Sequence, residues 1–249
     1  MRIVFLTTAD PIYLPAFFDR VLRERARDTA AVYLVPPLYK NQTTAKAAWR
    51  YFRTFGFEGL LGLATRTVRA KARGDSIAAA CKLHGVRCAE TSDVNAPSFL
   101  EEVGALGTDV IVSVSCPQIF HTPLIQLPAK ACLNVHGSIL PQYRGIMPSF
   151  WMLANSEETA GVSVYLVNEE IDAGDLCGQQ TFKIDADETL DAFLHRSKAV
   201  AAELLLQVLD RVEQGDIETS PLDLSTGSYF SWPDREAVRR FRAAGRRLW

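Results

Sequence analysis

Short apolar runs of strand length recur along the first half of this chain, separated by stretches whose apolar residues fall at helical spacing. Arg2 to Thr8, Ala30 to Val35, Val86 to Ala89 and Asp109 to Val114 read as strands, the last strongly β-branched. Between them, Leu14 to Arg27 sets Phe17, Phe18, Val21 and Leu22 on one helical face. Ile77 to His84 is a second helix closed by Gly85 in the C-terminal capping position, and Pro97 to Leu106 is a third. This alternation, continued to Leu133, specifies an α/β fold with a doubly wound, mostly parallel, Rossmann-like sheet. In such a sheet the ligand crevice lies beyond the carboxyl ends of the strands.

Asn134 and His136 stand at one of those ends, in Ala131-Cys132-Leu133-Asn134-Val135-His136. Residues two apart in a strand share a face, so an amide and an imidazole are set side by side. The pair alone is weak, because a histidine at a strand end is more often a hydrogen-bonded structural residue. The loop that follows adds weight. Pro141 fixes a dihedral, and Gly137 and Gly145 permit conformations that other residues avoid. Downstream, the alternating run Val162-Ser163-Val164-Tyr165-Leu166-Val167 leads into Asn168-Glu169-Glu170-Ile171-Asp172-Ala173-Gly174-Asp175. Asp172 is a candidate partner for His136, since a carboxylate beside an imidazole orients the ring and stabilises its charged form.

Strands over Gly161 to Val167 and Leu176 to Ile184 are joined too closely for a crossover helix, which predicts an antiparallel strand at the sheet edge. Phe150, Trp151 and Leu153 lie on a short helix before them. A long helix follows, capped by Asp187, with Leu190, Phe193, Leu194, Ala201, Leu204, Leu205, Val208 and Val212 at helical spacing and a stop at Gly215. His195, beside that stripe, reads as structural. Ser115 to Phe120 leaves its strand in a way that most simply starts the next helix.

Two segments stand outside this frame. Residues 38–75 form a helical insertion whose cations Lys40, Lys46, Arg50, Arg53, Arg66, Arg69, Lys71 and Arg73 face Glu58 alone between positions 38 and 74. A solvated face explains them, and so does a lid that meets a phosphorylated substrate. Residues 216–249 form a C-terminal tail after a domain at 1–215. Its basic helix starts near Ser231 and Asp234, at capping-box-like spacing, and carries Arg235, Arg239, Arg240, Arg242, Arg246 and Arg247. No aromatic-basic interleaving accompanies these arginines, so no nucleic-acid partner is expected.

The net charge of -2 gives no global pull toward nucleic acid or an anionic membrane, and any anion binding must be local. Five scattered cysteines without a Cys-x-x-Cys pair predict neither a disulfide framework nor a metal site. The apolar run after Arg2 is too short for a signal segment, no stretch reaches membrane-spanning length, and a cytoplasmic location is expected. The sequence is compatible with a homodimer.

Asn134-x-His136-x-Ser138-x-Leu140-Pro141-x-Tyr143-Arg144-Gly145, then Gly161-Val162, then Ile171-Asp172-Ala173-Gly174-Asp175, resembles the formyltransferases that use N10-formyltetrahydrofolate. The likeness is strong over residues 100 to 215 and looser before. It implies that Asn134, His136 and Asp172 are the catalytic set. It also implies that backbone groups of Gln118, Ile119, Phe120, Asn168, Glu170, Ile171 and Asp172 hold the pterin, with Pro117 lacking an N–H there. Acyl transfer of this kind passes through a tetrahedral intermediate. It needs a donor to the developing oxyanion and a proton shuttle, which suit Asn134 and His136 with Asp172, and it needs no metal and no nucleophilic serine or cysteine.

Departures narrow the group. The turn Thr7-Thr8-Ala9-Asp10-Pro11 has no glycine, unlike the phosphate loop of glycinamide ribonucleotide formyltransferases. The residues after Gly215 are too few for the C-terminal barrel of methionyl-tRNA formyltransferases, and the catalytic sheet begins at Arg2 without the regulatory domain of formyltetrahydrofolate hydrolases. The resemblance therefore implies a small-molecule amine acceptor, best matched by a nucleotide-linked amino sugar. The alternatives are an amino acid, a hydroxyornithine-like amine or a peptide intermediate, then a formyl-folate hydrolase or a non-catalytic folate-binding protein.

Overall fold

The structure, a computed structural model, describes residues 1–36 and 44–249. The first strand, β1 (Ile3–Thr8), lies inside the sheet, with β2 (Thr29–Val35) and β3 (Cys88–Glu90) to one side. On its other side lie β4 (Val110–Val114), β5 (Ala131–His136), β7 (Thr159–Leu166) and β8 (Leu176–Lys183). The order is β3-β2-β1-β4-β5-β7-β8. The strands through β5 pair in parallel and the last two pair antiparallel. The chain winds outward from β1 in one direction and then returns to build in the other, so the switch point lies between β1 and β4.

Helices cover both faces. On one, α1 (Leu14–Arg25), α3 (Ile77–Leu83) and α7 (Leu190–Gln214) bury Phe17, Phe18, Val21, Leu22, Leu205 and Val208 against Ile3, Phe5, Val112 and Leu133. On the other, α4 (Pro97–Ala105) and the single turn α5 (Thr122–Ile125) cover Val4, Leu6, Ile111 and Cys132. Phe5, Phe17 and Phe18 meet edge to face at ring separations of 5.5 and 5.3 Å. Each such buried ring contributes about 1.5–3 kcal/mol of transfer free energy.

A third apolar cluster joins elements that the sequence suggests are peripheral. The helix α2 (Thr44–Arg73) is broken at Gly56, whose φ is 76°, and Phe55 packs into Phe150 of α6 (Pro148–Ala154). Phe150 stacks in turn on Phe241 of α8 (Arg235–Ala243), 5.0 Å away. The tail also forms β9 (Tyr229–Phe230), which pairs in parallel with β6 (Arg144–Gly145). Residues 216–249 are thus sewn onto the loop after β5. Tyr143 N–H donates to Ser228 Oγ, Trp151 Nε1 to the Ser231 carbonyl, and Leu190 N–H to the Arg247 carbonyl.

Several local expectations are corrected. The cap of α7 is Thr189, whose hydroxyl accepts from Ala192 N–H, because the helix begins only where Leu190 becomes buried, and Asp187 lies ahead of it. Asp234 alone caps α8, accepting from Ala237 N–H, and no capping box from Ser231 forms. The third strand is Cys88–Glu90, shifted from the expected 86–89, because Val32, Tyr33 and Leu34 of β2 pair with those residues. Ser115 to Phe120 does not start a helix. It is loop, and helical backbone begins at Thr122. Lys40 and the start of the 38–75 insertion lie outside the described residues.

Candidate active site

The pairing of β5 with β7 decides what surrounds the amide and the imidazole. Asn134 lies opposite Tyr165 and His136 opposite Ser163. Directly opposed residues of an antiparallel pair put their side chains on the same face. Asn134 Nδ2 therefore reaches Tyr165 Oη at 2.9 Å, and the phenol hydroxyl donates onward to Asp172 Oδ1 at 2.8 Å. Tyr165 is buried, and burial together with the Asp172 charge pushes its ionisation far above the ordinary tyrosine value, so it remains a donor.

His136 is 7% exposed, with one nitrogen hydrogen-bonded and the other facing a carboxylate. Nε2 lies 2.9 Å from the Tyr143 carbonyl, which can only accept, so that nitrogen carries the hydrogen. Nδ1 is left facing Asp172 Oδ1 at 3.5 Å. It is the ring atom free to exchange a proton on the carboxylate side. Asp172 takes its second oxygen to the Gly145 N–H at 2.7 Å, so three different segments fix one carboxylate.

The backbone behind these contacts is unusually bent. Tyr143, Met147 and Asp172 adopt φ of 58°, 56° and 50°, in the left-handed region that non-glycine residues avoid. Hydrogen bonds hold the bends. Ser163 Oγ donates to the Ser138 carbonyl and accepts from Leu140 N–H, while Gln179 Nε2 reaches both the Leu140 carbonyl and Ser163 Oγ. Arg144 spends Nε and Nη2 on the Ile171 carbonyl, anchoring the residue before Asp172. Gly145 has φ of 93°, and a Cβ there would meet the Phe230 carbonyl at 2.2 Å. Gly137, by contrast, has no positive φ.

Asn134, His136, Gly145, Tyr165 and Asp172 line a cleft of about 560 Å³. One wall is the loop after β4, with Gln118, Ile119 and Phe120, and another is the loop with Asn168, Glu170 and Ile171. The side chain of Gln118 is turned away, accepting from Val94 N–H and donating to the Ser92 carbonyl. That of Asn168 is used within its own loop, toward Glu170 N–H and the Ala173 carbonyl. Both residues therefore present backbone to the cleft. Thr122 and Glu169 hydrogen-bond and tie the two walls together. The N–H groups of Phe120 and Ile171 meet no acceptor among the described residues. With the apolar Ile119, Phe120, Val167 and Ile171, they form a slot suited to a flat ring with edge hydrogen-bonding groups.

A second group of charges lines the other end of the cleft. Lys198 of α7 extends Nζ to Ser115 Oγ at 2.9 Å, and Asp10 sits opposite, its carboxylate accepting from Ile12 and Tyr13 N–H. Burial pushes the Asp10 carboxyl up and the Lys198 ammonium down. Tyr13 packs edge-on against His195, with ring centroids 4.9 Å apart. Among the described residues, none of α2 lines the cleft.

A family model described as "Formyl transferase" matches residues 1–209. A methionyl-tRNA formyltransferase from Citrifermentans bemidjiense is 32% identical over 165 residues, covering 64% of this chain and 52% of that protein. The chain spans about half the length of the curated relatives it matches. Among solved structures, a sugar N-formyltransferase from a Shewanella species superposes with a TM-score of 0.62 at 17% identity, over 98% of this chain and 87% of that one. An N-formyltransferase from Helicobacter canadensis, in complex with folinic acid and dTDP-3-aminofucose, does so at 0.59 and 15%, over 93% and 71%. At these identities the likeness to solved structures is one of fold.

Proposed function

The chain belongs to the formyl transferase family, and we propose that it moves a formyl group from N10-formyltetrahydrofolate to a primary amine. The observation that carries this reading is the connected set Asn134, Tyr165, Asp172 and His136 at one end of a slot with apolar walls and free peptide N–H groups. The slot matches a pterin in shape and chemistry, held by the backbone of Gln118, Ile119, Phe120, Asn168, Glu170 and Ile171. The donor supplies a formyl carbon that an amine can attack.

Each residue then has one task. One N–H of the Asn134 amide is committed to Tyr165, and the second is available to the oxygen that gains charge at the attacked carbon. His136 Nδ1 takes the proton that the amine loses and returns it to the leaving nitrogen. Asp172, immobilised by Gly145 and Tyr165, holds the ring and stabilises its charged form during that exchange. The catalytic unit takes in residues 216–249, because β9 holds Gly145 in place.

For the acceptor we favour the amine of a nucleotide-linked sugar, in keeping with the sugar N-formyltransferases among the fold relatives. Methionyl-tRNA is the second reading, favoured by the higher sequence identity to curated methionyl-tRNA formyltransferases. The test is a mass-spectrometric screen with N10-formyltetrahydrofolate against nucleotide-linked amino sugars, amino acids, ornithine derivatives, methionyl-tRNA and no acceptor. A formyl mass gain on a nucleotide sugar is expected and is lost in His136→Ala. A gain on methionyl-tRNA alone replaces the acceptor. Deformylation of the donor without acceptor replaces transfer by hydrolysis.

A further inference from the structure

A second cavity, of about 430 Å³, opens between the kink of α2 and the helix α8. Arg53, Arg235, Arg239 and Arg242 surround it, over a floor of Phe55 and Val238. None of these guanidinium groups has an ion-pair or hydrogen-bond partner among the described residues. The cavity shares no lining residue with the catalytic cleft, and the Phe55–Phe150 contact at 5.6 Å stands between the two. Four unpaired cations that repel one another around a concave surface need an anion with several charges to neutralise them.

The cavity wall ends at Gly56, and the next residue begins an apolar stripe. Phe57, Leu61 and Val68 fall four and seven residues apart, so they share one face of α2, and they are 69%, 50% and 65% exposed. The opposite face is taken, with Gly59 against Leu248, Gly62 against Trp249 and Arg66 paired with Asp191. A free phosphate or nucleotide has no use for a stripe of this length, in which Phe57 alone offers a ring and Leu61 and Val68 offer none. A second copy of the chain would fit the apolar spacing but not the charge. Arg53, Arg69 and Lys71 of each α2 would confront their equivalents with Glu58 alone to offset them, Arg73 being paired with Asp75 at 2.8 Å. No helix among the described residues is long and apolar enough to cross a membrane.

We propose that this face docks on an anionic lipid surface, with phospholipid phosphates in the arginine cavity and Phe57, Leu61 and Val68 at the acyl boundary. A basic helix that carries a short exposed apolar stripe can lie in the interface plane in this way. The attraction is local, which reconciles it with a net charge of only -2.

The test is flotation with vesicles of phosphatidylcholine alone and vesicles in which about a third of the lipid is phosphatidylglycerol. The protein is expected to float with the second and not the first. R239Q/R242Q should weaken binding about 25-fold, roughly five-fold for each arginine removed. F57S/L61S should abolish it with the arginines intact. All these side chains are exposed, so melting temperatures should match the parent and show that the fold persists. Failure to float with anionic vesicles overturns the proposal, as does equal flotation with phosphatidylcholine. Undiminished flotation of F57S/L61S also overturns it, and so does a dimer by light scattering that F57S/L61S dissociates.

Discussion

Replacing Tyr165 with phenylalanine deletes one oxygen and two hydrogen bonds, the one accepted from Asn134 at 2.9 Å and the one donated to Asp172 at 2.8 Å. Tyr165 is 4% exposed, so little water can take the place of the hydroxyl. A hydrogen bond to a charged acceptor is worth about 1.5–3 kcal/mol and a neutral one roughly 1 kcal/mol. Asp172 keeps Gly145 N–H on its other oxygen, and part of the loss is recovered by relaxation. The expected cost is about 2 kcal/mol, which for a domain of this size lowers the melting temperature by roughly 4–8 °C. If the phenol holds the carboxylate where His136 needs it, kcat falls by about 10- to 100-fold, the equivalent of roughly 1.4–2.7 kcal/mol. The donor KM stays within about two-fold. The assays are a thermal melt and steady-state formyl transfer to the acceptor that the screen identifies. A kcat within about two-fold of the parent, with the melt lowered as expected, would confine Tyr165 to a structural role and refute this reasoning.

Asp172→Asn turns one carboxylate oxygen into an amide nitrogen. Because Gly145 N–H and Tyr165 Oη both donate to this group, one of them then faces another donor. Turnover should fall more than about 100-fold with donor affinity largely kept, read by single-turnover kinetics beside a donor titration. Gly145→Ala forces a side chain into the Phe230 carbonyl at a positive φ, so β6 and β9 should part. Protease cleavage within residues 216–230 should appear, while an unchanged digestion pattern would count against the close approach. Lys198→Met removes a charge whose cost the folded state carries, because burial lowers the pKa of this lysine, and it also removes the cation facing Asp10. That cost is full below the folded pKa and fades as the pH rises toward the ordinary lysine value of about 10.4. The melting temperature of the variant minus that of the parent should therefore fall as the buffer becomes alkaline, and a difference independent of pH would refute the assignment.

The sheet and its helices were legible because their signals are local: apolar runs of strand length, helical spacing in α1 and α7, and a glycine at Gly85 with the expected positive φ. The juxtaposition of Asn134 and His136 was legible for the same reason, since the two-residue period of a strand fixes it. Tyr165 was not, because its place beside Asn134 depends on the register between β5 and β7, which no local pattern encodes. The left-handed backbone at Tyr143, Met147 and Asp172 is not legible, because such turns are sought at glycine and here other residues adopt them. The Asp10 and Lys198 pair comes from a loop and a helix that are distant in the chain. Each alone looks like an ordinary surface charge.

The two-residue ladder between β6 and β9 has a bearing on how such enzymes could be recombined. A segment that looks like an optional appendage supplies the strand that fixes Gly145, and Gly145 supplies the N–H that fixes Asp172. Grafting a different C-terminal module onto this scaffold at Gly215 would thus exchange more than a specificity element. The incoming piece would have to bring its own partner for Arg144–Gly145, or the chimera would inherit a complete catalytic sequence with a misaligned carboxylate. Interchangeability in this architecture is limited by backbone pairing, well before substrate recognition enters.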